Sequence, residues 1–152
     1  TIPRDATMAL GSGTVGLLEL AVAYATFANG GSLVVPHGIV SAAADGRTVW
    51  RREGDAVAAI APAHAAAMEA MLREAVARGT GRAAALPGRA VAGKTGTTSD
   101  FRDAWFVGWV PGAAGAVVIG VWVGNDDNRP MRGVTGGSMP ARIFRDVAAA
   151  VR

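Results

Sequence analysis

Only one lysine occurs among the 152 residues, and it lies in the run Ala92-Gly93-Lys94-Thr95-Gly96-Thr97-Thr98. Apart from two histidines, every other basic side chain is an arginine. Arginine replaces lysine on most of a protein surface, but a compact ammonium with rotatable donors has no arginine equivalent. The glycines and threonines beside Lys94 leave the backbone accessible and bring hydroxyl groups. Residues of these types suit a strand edge that grips an anionic, carbonyl-bearing ligand. One backbone N–H aimed at a developing oxyanion would contribute about 3 kcal/mol to a transition state. The free N–H and C=O groups of such an edge would also pair with an extended peptide. Period-two geometry puts Lys94, Gly96 and Thr98 on one face, and Thr95 and Thr97 on the other.

The same lysine supports a rival reading. Gly88-Arg89-Ala90-Val91-Ala92-Gly93-Lys94-Thr95 matches the phosphate-binding P-loop pattern. The apolar run ending in Gly124-Asn125-Asp126 imitates a magnesium-binding aspartate after a strand. Context weighs against it. A P-loop follows a buried strand and opens into a helix whose N-terminus holds the phosphate. Here Ala83-Ala84-Ala85-Leu86-Pro87 precedes, and Thr95-Gly96-Thr97-Thr98-Ser99-Asp100 follows, rich in β-branched residues and turn formers. A helix beginning at Thr95 would revive the nucleotide reading.

The elements that must position this run are read from periodicity and punctuation. Residues 14–29 predict a helix with Thr14 as N-cap, an apolar face of Leu17, Leu18, Val22, Ala25 and Phe27, and a stop at Asn29-Gly30-Gly31. Short β-prone runs follow at 33–35, 39–40 and 48–50, with Asp45-Gly46 as a hairpin turn. A second helix spans 62–78, opened by Pro62, with Met68, Met71, Leu72, Ala75 and Val76 on one face. Gly79-Thr80-Gly81 ends it. Three strands are expected at 90–97, 104–110 and 116–124, with Pro111-Gly112 turning between the last two. A glycine-rich stretch at 133–138 is either a mobile loop or a long turn. A terminal helix starts near Pro140, with Ile143, Phe144, Val147 and Val151 on one face. This order implies an α+β fold, an antiparallel sheet with packed helices, over 1–152 as one unit.

Bulk composition narrows the function. The net charge of +3 is modest, and no basic block exceeds Arg51-Arg52, so nothing marks a nucleic-acid binder. Cysteine is absent, which agrees with an extracytoplasmic protein and also with a cytosolic one. The longest apolar run, 116–123, falls far short of the roughly 20 residues of a membrane span. His37 and His64 stand alone and read as surface residues. Asp126-Asp127 reads as a turn. Trp105, Trp109 and Trp122 read as sheet packing, not as a stacking platform for sugars or bases. Met68 and Met71 read as core.

The resemblance is carried by blocks in order along the chain. They are Met8-Ala9-Leu10-Gly11-Ser12-Gly13, Leu18-Glu19-Leu20, Tyr24-Ala25-Thr26-Phe27-Ala28-Asn29-Gly30-Gly31 and Arg78-Gly79-Thr80-Gly81-Arg82-Ala83-Ala84. They continue through Val91-Ala92-Gly93-Lys94-Thr95-Gly96-Thr97-Thr98, Asp103-Ala104-Trp105-Phe106-Val107-Gly108, Val121-Trp122-Val123-Gly124-Asn125-Asp126 and Thr135-Gly136-Gly137-Ser138. Together they resemble the transpeptidase domain of class A, bifunctional penicillin-binding proteins, in which Lys-Thr-Gly is a signature. The family's other two signatures, Ser-x-x-Lys with the nucleophile and Ser-x-Asn, do not occur in these 152 residues. Both precede Lys-Thr-Gly in the family. The expectation is therefore a C-terminal portion of the domain, without the nucleophile-bearing portion.

The resemblance implies a serine-type D,D-transpeptidase that cross-links peptidoglycan stem peptides outside the cytoplasm and is trapped by β-lactams. Lys94 would set positive charge beside nucleophile and ligand. Thr95 and Thr97 would hold the ligand carboxylate, and the Thr97 backbone N–H would complete the oxyanion hole. Gly96 and Thr98 would line the same strand. No metal or cofactor is implied. The partners would be stem peptides, β-lactams and the missing N-terminal part of the domain, with no nucleic acid, and the parent would be membrane-anchored through a segment not in this chain. Two alternatives remain: a penicillin-recognising module without turnover, and the P-loop protein.

Overall fold

The run of β-branched and aromatic residues after Val91 folds as expected into a three-stranded antiparallel sheet. The computed structural model describes residues 4–11, 13–54 and 57–152. Among them the main elements are α1 (Leu17–Ala28), β1 (Ser41–Ala44), β2 (Arg47–Arg51), α2 (Pro62–Ala77), β3 (Ala92–Thr97), β4 (Asp103–Gly112), β5 (Gly115–Gly124) and α3 (Met139–Ala149). The larger sheet has the order β3-β4-β5, and β1 pairs with β2 in a separate hairpin. Ser12, in the first block of the resemblance, lies outside the described residues.

The hairpin turns at Asp45 and Gly46, whose φ values of 51° and 75° are those of a tight turn with both central residues left-handed. β1 begins just after the expected run at 39–40, and β2 extends the expected run at 48–50 by one residue at each end. Residues 33–35 stay outside, and Ser32 makes only an isolated bridge with Ala58.

β4 corrects the expected turn at Pro111-Gly112. The strand runs through both residues, and the chain reverses at 113–114. Register explains how a strand between two neighbours holds a proline. Thr98 N–H donates to Asp103 C=O at 3.0 Å, and β3 pairs Gly96 with Trp105, Lys94 with Val107 and Ala92 with Trp109. Alternation then turns the backbone polar groups of the odd β4 residues toward β3. Pro111 is odd, but β3 has already ended, so its missing N–H breaks no ladder bond. Its carbonyl accepts from Arg89 Nη2 instead.

Cores form on both faces of the sheet. On one face Phe106, Val110 and Val121 pack with Ala141, Phe144 and Ala148 of α3. The Phe106 and Phe144 rings lie 4.7 Å apart at 57°. On the other face Ala92 and Trp109 pack with Leu72 of α2, and Tyr24 and Phe27 of α1 flank them. Burial pushes the Tyr24 phenol up from its usual pKa. α2 lies across β3 and adds Val76 to the first core.

α1 and α3 are rotated from their expected faces, whereas α2 keeps its expected face apart from Met71. α1 meets the sheet through Leu17, Ala21 and Tyr24, and Leu17 and Ala21 touch the space above Gly120. Leu18 is 65% exposed. Glu19 accepts from Gly16 N–H at 2.8 Å, so the cap comes from inside the helix and not from Thr14. In α2, Ala65, Leu72 and Val76 are buried, and Met71 is exposed. In α3 the buried stripe is Pro140, Ala141, Phe144 and Ala148, and Ile143 and Val147 face outward. Arg89 Nη1 holds the end of α3 by donating to Ala148 C=O at 2.8 Å and Val151 C=O at 2.9 Å.

The rotation of α3 has a measurable consequence. Phe144→Ala is expected to cost about 3–5 kcal/mol, as for other buried aromatics. Ile143→Ala is expected to cost under about 1 kcal/mol, as for surface changes. Urea denaturation followed by tryptophan fluorescence measures both, and equal losses would place the helix in the wrong rotation.

Candidate active site

The lysine run becomes the edge strand β3. No strand pairs with its outer side among the described residues. No helix begins at Thr95, so the P-loop reading fails on the test set for it.

Register decides which backbone groups are free. Ala92, Lys94, Gly96 and Thr98 turn their N–H and C=O groups to β4, so Thr95 and Thr97 present theirs to the open edge. The faces follow the expected alternation. Thr95 lies opposite Phe106 on the α3 face, and Lys94 lies opposite Val107 on the other.

Lys94 is exposed, and its Nζ turns back on its own strand. It donates to Thr95 C=O at 3.0 Å and lies 3.4 Å from Thr95 Oγ1. Thr95 is half-buried, and its hydroxyl lies 2.7 Å from that of Thr80. Thr97 is exposed, and its Oγ1 accepts from Gly136 N–H at 3.0 Å. Gly96 sits above Trp105, where an added Cβ would lie 3.2 Å from Trp105 Cβ. Thr98 stands apart from the others. It is one residue past the strand, and its hydroxyl accepts from Asp103 N–H at 2.8 Å. Trp122 Nε1 donates to Asp103 Oδ1 at 2.9 Å, which ties this turn to β5.

The stretch at 133–138 is packed against β3. A Cβ on Gly136 would lie 2.3 Å from Trp105 O and 2.5 Å from Gly96 O. A Cβ on Gly137 would lie 2.5 Å from Thr80 O. Only glycines allow this approach. Ser138 Oγ donates to Thr135 C=O at 2.7 Å and accepts from Thr135 N–H at 2.9 Å, closing the loop on itself. Thr80 and Gly136 lie in two of the blocks that carry the resemblance, but nothing in the sequence joins them to β3, since their contacts with it span 15 and 39 residues.

The other candidates stay apart. His37 and His64 are exposed, and Asp127 pairs with Arg129 in a turn. Trp109 is buried, and Trp105 and Trp122 pack at 6.4 Å on the sheet, as read from the sequence. A depression of about 280 Å³ lined by Ala28, Glu69, Arg73 and Trp109 lies at the other end of β4 from Thr97. It lacks the paired hydroxyls and free edge of β3, so the candidate site is placed on β3.

Comparison with known proteins gives the family. Residues 4–149 match the penicillin binding protein transpeptidase domain. The chain belongs to that family. It is 39% identical over 153 residues to penicillin-binding protein 1A of Neisseria cinerea, covering 95% of this chain and 19% of the relative. It is 40% identical over 121 residues to the protein of that name from Aquifex aeolicus, covering 79% of this chain and 16% of the relative. It therefore spans about a fifth of the length of these curated relatives. Among solved structures, penicillin-binding protein A of M. tuberculosis in an imipenem acyl-enzyme complex matches with a TM-score of 0.75 and 30% identity. That match covers 95% of this chain and 34% of the other. The D,D-transpeptidase domain of a peptidoglycan glycosyltransferase from Eggerthella lenta matches with a TM-score of 0.71 and 30% identity, covering 88% and 31%.

The close approach of the loop to β3 is testable. Gly136→Ala is expected to cost at least about 1–3 kcal/mol, because the atoms in its way are backbone. Gly133 has φ +65° and open space around it, so Gly133→Ala is expected to cost only about 1 kcal/mol. Thermal denaturation compares them, and equal losses would mean that the loop is not seated on the strand.

Proposed function

We propose that this chain is the C-terminal, strand-bearing portion of a serine D,D-transpeptidase domain in a class A penicillin-binding protein. It works outside the cytoplasm on peptidoglycan stem peptides, in a parent anchored to the membrane. No helix among the described residues is long and apolar enough to cross a membrane. The observation that carries the reading is the open edge of β3, where Thr97 N–H, two hydroxyls and the only lysine converge.

In this reading the attacking serine comes from a part of the domain outside these 152 residues. The serine oxygen adds to the D-Ala-D-Ala carbonyl, and the terminal D-alanine leaves as a free amine. An acceptor amine then takes the acyl group and frees the serine. The stem peptide lies along β3 as an added strand. Thr97 N–H faces the carbonyl oxygen as charge develops on it, and such a donor is worth about 3 kcal/mol. Thr95 and Thr97 hydroxyls hold the terminal carboxylate. Lys94 supplies positive charge to both ends of this anion-handling surface. A β-lactam enters the same way and stays on the serine.

Two measurements test this. The isolated chain is expected to remain unlabelled by a fluorescent penicillin, because it has no Ser-x-x-Lys; labelling of any of its serines would refute the proposed division of the domain. In the full-length parent, Lys94→Ala is expected to slow acylation roughly ten- to a hundredfold, from loss of a charge-assisted interaction of about 1.5–3 kcal/mol. Lys94→Arg is not expected to restore the rate, since its planar fork cannot copy the ammonium. Normal acylation by Lys94→Ala at unchanged thermal stability would remove Lys94 from the site.

A further inference from the structure

A hydroxyl group has one proton to donate and two lone pairs to accept with. If Thr95 and Thr97 are to hold an anion, their protons must point at it, and something else must occupy the oxygen from behind. At Thr97, Gly136 N–H donates into Oγ1 at 3.0 Å, and no acceptor for the hydroxyl proton lies within hydrogen-bond distance among the described residues. At Thr95, Lys94 Nζ lies 3.4 Å from Oγ1 and Thr80 Oγ1 lies 2.7 Å from it. Thr80 is itself held in place, since the Gly137 backbone sits directly on its carbonyl. Thr95 and Thr97 are two residues apart on one face, about 7 Å along the strand, close enough for both to reach one carboxylate.

We propose that Thr80 and the Gly136 backbone act as positioning groups for the ligand carboxylate. Thr80 donates its proton to Thr95 Oγ1, and Gly136 N–H donates to Thr97 Oγ1. Both threonine protons are thereby turned outward as a matched pair of donors. A donor that is itself accepting is polarised and binds an anion more strongly. Thr80 never touches the ligand, and its effect is confined to ligands that carry the anion. This inference rests on the proposed function of the β3 edge.

The test uses the full-length parent, with benzylpenicillin and its methyl ester as probes, and reads the second-order acylation rate of each. The wild type is expected to prefer the free acid. Thr80→Val keeps the shape of the side chain and removes the hydroxyl. It is expected to slow acylation by benzylpenicillin about tenfold while leaving the ester rate and the thermal midpoint unchanged. Thr80→Ser is expected to restore the acid preference. Thr80→Ala carries the same expectation as Thr80→Val should valine disturb the turn. Equal losses on acid and ester would make Thr80 a purely structural residue and overturn the inference, as would an unchanged acid rate. A wild-type parent that is not acylated at all would instead overturn the proposed function. One that is acylated without preferring the acid would overturn the carboxylate role of the edge.

Discussion

Every orientation along β3 depends on one hydrogen-bond pair at its end, Thr98 N–H to Asp103 C=O at 3.0 Å. That bond sets the parity of the ladder. It sends the backbone groups of Lys94 and Gly96 to β4 and leaves those of Thr95 and Thr97 on the open side. A slip of one residue would exchange the two sets and flip every side chain to the other face. Asp103 is therefore secured more than once. Its N–H donates to Thr98 Oγ1 and its carboxylate accepts from Trp122 Nε1, so one residue ties the registers of β3, β4 and β5 together. The core reinforces the same parity. A Cβ on Gly93 would lie 2.7 Å from the Phe106 ring, so only glycine at that position lets this register and this aromatic core coexist.

The strand is consequently asymmetric. Its inner side is a full ladder, and its α3 face is covered by Thr80 and the loop at Gly136. Its outer side alone is free to bind. A rigid back and an open front are what preorganised recognition requires, because hydroxyls that are already oriented lose little freedom when a ligand arrives. The loop reaches β3 with backbone and not with side chains. Its position is accordingly set by packing distances of a few ångströms and not by the rotamers of long side chains.

The sheet was legible in the sequence because its evidence is local. Period-two runs, Asp45-Gly46 and the β-branched residues after Lys94 each act over a few residues, and strand order followed from their succession. The face of α2 was legible apart from Met71, but those of α1 and α3 were not. Alanine is so frequent that α1 and α3 each carry two adjacent apolar stripes, about 100° apart, and nothing local chooses between them. In α1 the stripe through Leu17, Ala21 and Tyr24 faces the sheet, because the gap above Gly120 fits it. In α3 the choice fell to Phe144, which meets Phe106, and not to Ile143. Pro111 misled for the opposite reason, since its breaking tendency is real but β3 had already ended beside it. At the site, Lys94, Thr95 and Thr97 were named from their own run, whereas Thr80 and Gly136 become neighbours only after the chain has folded.

The single lysine gains a physical reason from this geometry. Its ammonium turns back to the carbonyl of the next residue, 3.0 Å away, and lies near the hydroxyl of that residue at 3.4 Å. Both acceptors belong to Thr95, and one of them is an edge carbonyl that no strand pairs among the described residues. A compact head with rotatable donors meets two acceptors so close to its own backbone, whereas a guanidinium presents its donors in one plane and farther out. The ammonium therefore places a positive charge against the free edge while leaving Thr97 N–H uncovered. In the proposed chemistry these are separate demands, one for charge beside the ligand and one for an unobstructed donor at the oxyanion. Within that chemistry an arginine, with its donors farther out, would extend along the edge and compete with the ligand for the space in front of Thr97. Size as well as charge therefore sets the demand of the proposed chemistry on the side chain at Lys94.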